Sequence, residues 1–182
     1  MTGQLFIVVG PSGVGKDTLL DAALVGCRNV RRVRRVVTRP ASAGGEEIVS
    51  VTTDEFSRMQ ARGDFALSWD AHGLSYGISI EIDAMLSAGQ SVVFNGSRTE
   101  LDIAKKTYPG LKILSIEADH DILRGRLIAR GRETLDDIEH RLERAKIGVP
   151  TGPNVVRILN NGSLDQAVSE VIIALTQPVR NA

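Results

Sequence analysis

The chain alternates short, continuously apolar runs with longer segments whose apolar positions recur at helical spacing. QLFIVVG at residues 4–10 is the first run, and similar runs lie at residues 91–96, 111–118 and 154–160. Runs that are apolar at every position are typical of parallel strands buried on both faces, whereas TLLDAALV after the first run has the period of a helix. Strands that alternate with helices predict an α/β fold with a doubly wound parallel sheet, and we expect a five-stranded core.

The alternation is first interrupted between residues 38 and 78. TRPASAGGEE is followed by a short helix, which Thr52 opens with Glu55 three residues later, and then by the strand FALSW. This arrangement predicts a small lobe inserted into the α/β domain. We expect Phe65 and Trp69 to be packing residues of this lobe.

A second interruption covers residues 126–145. Its helical pattern breaks at Gly131, and Thr134 and Asp137 are placed to cap the second half. Gly131 is therefore a candidate hinge, and the arginines around it predict a mobile lid. No linker divides the chain, so we expect residues 1–182 to form a single domain.

Composition narrows the classes of protein. With 182 residues, 42% of them apolar, the chain can bury one sizeable core. It has no apolar run long enough to span a membrane, and its first ten residues lack the basic start and cleavage site that are typical of a signal peptide. Because Cys27 can form no internal disulfide either, we expect a protein of the reducing cytoplasm with a buried Cys27. A formal net charge of zero gives the whole molecule no electrostatic attraction to nucleic acid or to an anionic membrane.

Residues 10–17 read GPSGVGKD, between the first strand and the first helix. The pattern G-x-x-x-x-G-K-[ST] marks a phosphate-binding loop: backbone N–H groups and the helix dipole hold phosphate oxygens, and the lysine reaches the outer phosphates. The order of strand, glycine-rich loop and helix therefore predicts a nucleotide site. Its candidate residues are Gly10, Pro11, Ser12, Gly13, Val14, Gly15, Lys16, Asp17 and Thr18.

The last position of this motif holds Asp17 where a hydroxyl is expected. One interpretation is that the carboxylate, a hard oxygen ligand, holds Mg²⁺ directly or through a bound water. The other is that Asp17 is an acidic residue favoured by the helix dipole at the N-terminus of a helix.

Five segments together resemble, in order along the chain, the layout of guanylate-kinase-like P-loop kinases. They are GPSGVGKD, TRPASAGGE at 38–46, YG at 76–77, RLIARGRE at 126–133 and RLERA at 141–145. The resemblance covers nearly the whole chain. It implies that the loop binds ATP, that the inserted lobe binds the acceptor, and that lid arginines close over the phosphates.

The same resemblance implies roles for individual residues. Arg39 and Tyr76 would contact a phosphate of the acceptor. The transferred group would be steadied by Lys16, Arg130, Arg132 and Arg141.

The chain departs from the family pattern where a guanylate kinase reads guanine. The usual second arginine of the acceptor site is Ser42, the guanine-reading glutamate falls near Ser68, and the acidic motif after the next strand is replaced by FNGSR at 94–98. A buried base whose donors lack acceptors is strongly disfavoured, so these changes argue against guanine as the acceptor base.

The remaining pattern, with FNGSR and LSW…AHGLSYG, resembles the branch of this superfamily that acts on a ribose bisphosphate and is associated with phosphonate breakdown. The resemblance implies transfer of the γ-phosphoryl group of ATP, with Mg²⁺, to the 1-phosphate of ribose 1,5-bisphosphate, giving 5-phosphoribosyl 1-diphosphate (PRPP) and ADP. A phosphate monoester is mostly dianionic at neutral pH because its second pKa is about 6, so this nucleophile needs no general base.

A sugar bisphosphate has two anionic ends, so its site needs more cations than a nucleotide monophosphate site. Candidates for the second end are Arg34, Arg35, Arg39 and Arg98. For Arg31, Arg32 and Arg34 we favour a different interpretation, that they are solvated charges on an edge strand. Asn95 and Ser97 either meet ribose hydroxyls or form an ordinary turn.

The histidines give little indication of the protein's function. His72 lies close in sequence to Tyr76 but is expected to be exposed, as are His120 and His140. No group of His, Cys or carboxylate residues has the spacing of zinc ligands.

Three other functions remain open. The chain could be a guanylate or other nucleoside monophosphate kinase that reads its base through different residues. It could be a non-catalytic, guanylate-kinase-like interaction module, although the intact Lys16 and framing glycines argue against this. A nucleic-acid binder using RNVRRVRRVVTR at 28–39 would show strongly salt-dependent affinity.

Overall fold

The structure is a computed structural model that describes residues 2–40, 47–71, 73–131, 134–145 and 148–177. Its elements in chain order are β1 (Leu5–Val9), α1 (Lys16–Leu24), β2 (Val30–Arg32), β3 (Val36–Val37), β4 (Val49–Ser50), α2 (Thr53–Arg62), β5 (Phe65–Ala71), β6 (Leu74–Ser79), α3 (Glu81–Ser87), β7 (Ser91–Asn95), α4 (Leu101–Thr107), β8 (Lys112–Glu117), α5 (His120–Arg130), α6 (Leu135–Ala145), β9 (Val155–Leu159) and α7 (Leu164–Thr176). A 3₁₀ turn, Arg98–Glu100, precedes α4.

A five-stranded, all-parallel sheet forms the centre of the molecule, with the strand order β2-β7-β1-β8-β9. The expected doubly wound α/β fold is therefore confirmed. Four of the strands coincide with the apolar runs of the sequence, and the fifth, β2, is a short edge strand that carries arginines. Because all five strands run in the same direction, their carboxyl ends meet at one edge of the sheet.

The central strand β1 is buried along its whole length and contributes to two cores. Phe6 and Val8 point into a core shared with α1, α5, α6 and α7. Leu5, Ile7 and Val9 point into the core on the opposite face of the sheet. The alternation of side chains along a strand explains why every position of this run must be apolar.

The second core joins the parallel sheet to the inserted segment. The segment forms a four-stranded sheet of order β4-β3-β6-β5, in which β5 and β6 are an antiparallel hairpin. Leu67 of β5 and Ile78 of β6 are buried against Ile7, Val9 and Phe94 in that core. The inserted sheet and the parallel sheet thus share one continuous hydrophobic interior.

The helices α5 and α6 follow one another in the chain, and the helical pattern is broken at Gly131, as expected. Gly131 has a φ of 63° and ends α5 in the left-handed conformation. The predicted capping box of α6 is also confirmed, since the N–H of Asp137 donates to Thr134 Oγ1 at 3.2 Å and the N–H of Thr134 donates to Asp137 Oδ2 at 3.3 Å. An ion pair from Arg124 to Glu139 joins the two helices.

Both helices bury their apolar sides in the core that also contains α1. Leu123 and Leu127 of α5 and Ile138 and Leu142 of α6 are almost fully buried there. The movement of these helices as a lid stays a prediction.

The part of the chain that the structure describes contains no helix that is both long and apolar enough to cross a membrane. Cys27 is buried in the core beneath α1, as expected. Burial raises the pKa of its thiol, which keeps the side chain neutral and suits a packing residue.

The cap of α2 allows a test of the inserted lobe. The N–H of Glu55 donates to Thr52 Oγ1 at 3.2 Å, so Thr52→Ala removes the partner of an N-terminal N–H group. We expect this change to lower the free energy of unfolding by about 1 kcal/mol. Urea denaturation followed by circular dichroism measures it.

Ser57→Ala in the same helix is the matched control. Ser57 Oγ donates to the carbonyl oxygen of Thr53 and caps no free N–H group, so its loss should change stability by less than about 0.5 kcal/mol. Equal losses in the two variants would contradict the capping role.

Candidate active site

The glycine-rich loop follows β1 directly and leads into α1. Gly10 lies so close to β8 that a Cβ atom there would be 2.3 Å from the carbonyl oxygen of Ile116. Gly15 has a φ of 93°, and a Cβ atom there would lie 2.8 Å from Asn160 Nδ2. Both positions therefore require glycine. At Gly10 a neighbouring strand is too near for a side chain, and at Gly15 both the nearby Asn160 side chain and the positive φ exclude one.

Asn160 braces this loop from the carboxyl end of β9, at the same edge of the sheet. It follows β9, is 5% exposed, and donates from Nδ2 to the carbonyl oxygen of Val14 at 2.8 Å. Arg126 of α5 reaches the same carbonyl oxygen, with Nη1 at 3.5 Å. Sequence reasoning gave neither residue a role, although Asn160 stands directly after a buried apolar strand, where polar residues collect at the carboxyl edge of a sheet.

Lys16 begins α1 and folds back over the loop. Its Nζ donates to the carbonyl oxygen of Gly10 at 2.9 Å and to that of Pro11 at 3.0 Å. The ammonium group therefore lies at the mouth of the loop. A phosphate oxygen is a stronger acceptor than these neutral carbonyls because it carries charge, so an incoming phosphate can replace them.

Asp17 is held by two side chains from neighbouring strands. Arg32 of β2 donates from Nη2 to Asp17 Oδ1, and Asn95 at the end of β7 donates from Nδ2 to the same oxygen at 2.7 Å. The second guanidinium nitrogen of Arg32 bonds Asp21, one turn further along α1. The carboxylate that replaces the usual hydroxyl is thus tied to β2 and β7.

This network corrects the expectation for Arg32. We expected the arginines of β2 to be solvated, but the side chain of Arg32 is only 18% exposed and forms ion pairs with two aspartates. Arg31 and Arg34 do follow the expectation: Arg31 is exposed, and Arg34 is 57% exposed with a loose ion pair to Glu47 at 3.9 Å. Alternation along the edge strand turns Arg32, but not its neighbour, toward α1.

The surroundings of Asp17 are compatible with a magnesium ion. Both hydrogen bonds converge on Oδ1, and Oδ2 accepts none from the described residues. The side chain is 45% exposed at the N-terminus of α1. No cluster of three acidic, His or Cys side chains that could hold a metal occurs within the described ranges. A single carboxylate beside a phosphate site fits Mg²⁺, which usually keeps several waters and bridges to phosphates.

The side chains after β7 differ in their surroundings. Asn95 is 2% exposed, and its Oδ1 finds no hydrogen-bond partner in the described part of the chain. Ser97 caps the 3₁₀ turn by accepting a hydrogen bond from the N–H of Thr99. Arg98 crosses toward the helix pair and donates from Nη1 to the carbonyl oxygen of Ala145 at 2.8 Å.

The predicted lid arginines are placed differently from one another. Arg130 is exposed at the end of α5, and Arg141 is half-buried in α6, where its charge helps to lower the pKa of Asp137. The first cause of that lowering is the hydrogen bond from the Thr134 hydroxyl. Arg132 lies outside the described residues.

A cleft of about 190 Å³ lies between the loop, the 3₁₀ turn and the helix pair. It is lined by Pro11, Arg98, Glu117, Ala118, His120, Leu123, Leu142, Ala145 and Val149. Arg98 and Glu117 form the polar wall of this cleft. Glu117 accepts hydrogen bonds from Arg157 at 3.0 and 2.6 Å. His120 is 45% exposed, as expected of a surface residue, yet it stands at this cleft.

The charges of the cleft act on one another. Hydrogen bonds from Arg157 hold the pKa of the Glu117 carboxyl below its ordinary value, and a hydrogen bond from Ser115 acts in the same direction. Burial lowers the pKa of Arg98, which Glu117 partly restores. Glu117 is therefore an anion that is paired with Arg157 and that also attracts the charge of Arg98.

An aromatic stack crosses the inserted lobe. Tyr76 and Trp69 are paired across the β5–β6 hairpin with ring centroids 5.5 Å apart, and the guanidinium group of Arg35 lies 5.1 Å from the centre of the Tyr76 ring. Phe65 stacks on Phe56 of α2. These contacts confirm Trp69 and Phe65 as packing residues.

Two residues of the lobe bear on the choice of acceptor. Arg39 is half-buried two residues beyond β3, and its carbonyl oxygen accepts a hydrogen bond from Ser50 Oγ. Ser68 stands near the position at which a guanylate kinase has its guanine-reading glutamate. Its side chain accepts a hydrogen bond from Gln60 Nε2 at 3.2 Å. Ser42 and His72 lie outside the described residues.

A glycine-rich loop on a buried parallel strand, a lysine over its mouth and neighbouring arginine-bearing helices define the site of a P-loop phosphotransferase. The family model described as guanylate kinase matches residues 2–177. A solved guanylate kinase structure from Anaplasma phagocytophilum shares the fold, with a TM-score of 0.66 at 17% identity, over 96% of this chain and 85% of that one.

This chain shares a higher sequence identity with curated proteins than with that solved structure. A ribose 1,5-bisphosphate phosphokinase from Pseudomonas fluorescens (strain SBW25) is 47% identical over 96% of each chain. Another from Rhizobium etli (strain CIAT 652) is 44% identical over 95% of this chain and 89% of its own length. This chain therefore belongs to the guanylate kinase family and, within it, to the ribose 1,5-bisphosphate phosphokinases.

The brace on the loop can be tested by Asn160→Ala. This change leaves the buried carbonyl oxygen of Val14 without its 2.8 Å donor, so we expect the loop to loosen. Binding of ATP should weaken by roughly 1 kcal/mol, about fivefold, in isothermal titration calorimetry.

Asn154→Ala is the control for this variant. Asn154 Oδ1 accepts a hydrogen bond from Lys112 Nζ at the amino end of β8, away from the loop. Asn154→Ala should leave ATP affinity unchanged. An equal loss of affinity in both variants would mean that Asn160→Ala acts through the general stability of the protein.

Glu117→Gln tests the charge at the cleft wall. The pKa of Glu117 is depressed in the folded state, so its ionised form stabilises the fold above the unfolded pKa, and this contribution disappears as the pH falls through the folded pKa. We expect the variant to unfold at lower urea concentration than wild type at neutral pH, with a difference that shrinks below the ordinary carboxyl value of 4.5.

Glu170→Gln in α7 provides the comparison, because Glu170 forms no ion pair with the residues that the structure describes. Its effect on the urea midpoint should be small at every pH. A pH-independent effect at Glu117 would contradict the ionic role.

Proposed function

We propose that this protein transfers the γ-phosphoryl group of ATP to the 1-phosphate of ribose 1,5-bisphosphate, with PRPP and ADP as products. The observation that carries the proposal is the intact phosphate loop, with Lys16 at its mouth, in a chain that matches a ribose 1,5-bisphosphate phosphokinase at 47% identity over 96% of its length. The presence of Ser68 rather than a carboxylate in the inserted lobe supports an acceptor without a guanine base.

The reaction places one phosphate in line with another. The 1-phosphate of the acceptor is largely dianionic at neutral pH, so its oxygen attacks the γ-phosphorus without a general base, the bond to the β-phosphate oxygen breaks, and ADP leaves. No atom of the protein has to accept a proton. The protein contributes alignment of the two phosphates and neutralisation of the charge that they share.

Lys16 and the loop hold the phosphates of ATP in this proposal. The backbone N–H groups of residues 12–18, at the N-terminus of α1 and just before it, bind the phosphate oxygens, and Lys16 exchanges its two carbonyl acceptors for phosphate. Mg²⁺, held by Asp17 directly or through water, would supply charge neutralisation at the β- and γ-phosphates. Arg130, Arg132 and Arg141 would close over the transferred group.

The acceptor would lie against the inserted lobe. Arg39 and Tyr76 are proposed to contact one of its phosphates, and Arg98 the second, because Arg98 already stands beside Pro11 of the loop. Asn95 Oδ1 is the atom left to accept from a ribose hydroxyl. It is enclosed in this structure, so that contact requires movement of the surrounding loops.

The proposed partner is a small molecule rather than nucleic acid. The basic segment at residues 28–39 does not present a uniform cationic face: Arg32 is bound to two aspartates, and Arg35 lies against Tyr76. A reducing cytoplasm suits the single buried thiol, and provision of PRPP during phosphonate breakdown is the proposed context.

Release of ADP from Mg·ATP tests the proposal directly. The assay runs with ribose 1,5-bisphosphate, with GMP and with no acceptor, and product formation is followed by phosphorus NMR. We expect turnover with the sugar bisphosphate alone. Turnover with GMP alone would overturn the choice of acceptor, and ADP release that needs no acceptor would indicate an ATPase.

Lys16→Ala is the variant control for this assay. It removes the cation at the loop mouth, and we expect loss of turnover by more than about a thousandfold with the thermal unfolding midpoint little changed. A folded, active variant would contradict the assignment of the loop.

A further inference from the structure

Arg32 is a charged residue at the loop that neither the motif nor the proposed reaction uses. It lies on β2, outside the loop, yet one guanidinium nitrogen bonds Asp17 and the other bonds Asp21. Both aspartates lie on the first two turns of α1. The guanidinium fork therefore clamps the helix that begins at the phosphate loop.

The need for such a clamp follows from the identity of residue 17. A hydroxyl at this position would be neutral, whereas the carboxylate of Asp17 brings a negative charge next to the triphosphate of ATP. Like charges at a few ångströms repel by an amount that depends steeply on how far water screens them. Because Asp17 is half-exposed and Arg32 is mostly enclosed, the cation lies on the protein side of the carboxylate.

The clamp also selects which oxygen of Asp17 remains available. Arg32 and Asn95 both donate to Oδ1, from two different strands, and this fixes the plane of the carboxylate. Oδ2 is left without a donor from the described residues. An aspartate without these two partners could rotate and turn either oxygen toward the phosphates.

We propose that Arg32 is a positioning residue that holds and neutralises Asp17, so that a loop carrying a carboxylate in place of a hydroxyl can bind a triphosphate with its Mg²⁺. The proposal deepens the proposed function and rests on it for the identity of the nucleotide. Asp17 and Arg32 then form a functional pair: Arg32 matters because Asp17 is present, and a hydroxyl at residue 17 would not require it.

The pairing predicts a result that depends on the background. Isothermal titration of ATP, with and without Mg²⁺ and with no acceptor present, compares wild type, Arg32→Gln, Asp17→Thr and the double variant. We expect Arg32→Gln to weaken binding of Mg·ATP by about tenfold when Asp17 is present. In the Asp17→Thr background the same change should alter affinity by less than about twofold.

Two further variants separate positioning from folding. Arg31→Gln removes a neighbouring, exposed charge from the same strand and should leave affinity unchanged. Arg32→Lys keeps the charge but loses the fork, and should recover part of the lost affinity. Thermal unfolding with each variant confirms that the protein titrated is folded; if Arg32→Gln does not fold, Arg32→Lys in both backgrounds carries the comparison.

The outcomes divide clearly. A loss that is equal with Asp17 and with Thr at position 17 would overturn the proposal, because Arg32 would then act on the nucleotide or on the fold directly. No loss with Asp17 present would overturn it as well. Because these titrations contain no sugar, a failure of turnover with ribose 1,5-bisphosphate would refute the proposed acceptor while leaving the Asp17–Arg32 result intact.

Discussion

The central position of β1, buried on both faces, is the constraint on which the rest of the site depends. Leu5–Val9 alternate between two cores, so a one-residue shift of the strand would exchange the side chains of the two cores and disturb the packing of both. Its end then determines where the phosphate loop stands. Because β7 and β8 run parallel on either side, Asn95 and Glu117 reach the same edge, and Gly10 has to pack against the backbone of β8 without a side chain.

Charge balance is the second property that organises this edge. The site faces anionic ligands, yet it contains Asp17 and Glu117, and each of them is bound by arginine. Arg32 and Asn95 hold Asp17, and Arg157 holds Glu117 beside Arg98. Fixed ion pairs of this kind orient donors in advance, so that less reorganisation is needed when phosphate binds.

In the inserted lobe this chain departs from the pattern expected of a guanine-reading kinase of the same family. Its interior is filled by the stack of Arg35, Tyr76 and Trp69 and by the packing of Leu67 and Ile78 against the parallel sheet. Ser68 stands near the position of the guanine-reading glutamate of a guanylate kinase, and it accepts a hydrogen bond from Gln60 of α2. A serine at this position provides no carboxylate to accept hydrogen bonds from a base.

Local sequence patterns were enough to predict the parallel fold, the phosphate loop, the break at Gly131 and the caps at Thr52 and Thr134. Each depends on residues that are close together in the chain, where apolar period, glycine and capping side chains act locally. The folded structure was needed to show that Arg32 is bound rather than solvated and that Asn160 braces Val14. The Arg32–Asp17 contact joins residues that are 15 positions apart in the chain, and the Asn160–Val14 contact joins residues that are 146 positions apart. No local sequence pattern predicts these contacts, because they form when strands distant in sequence end at one edge of the sheet.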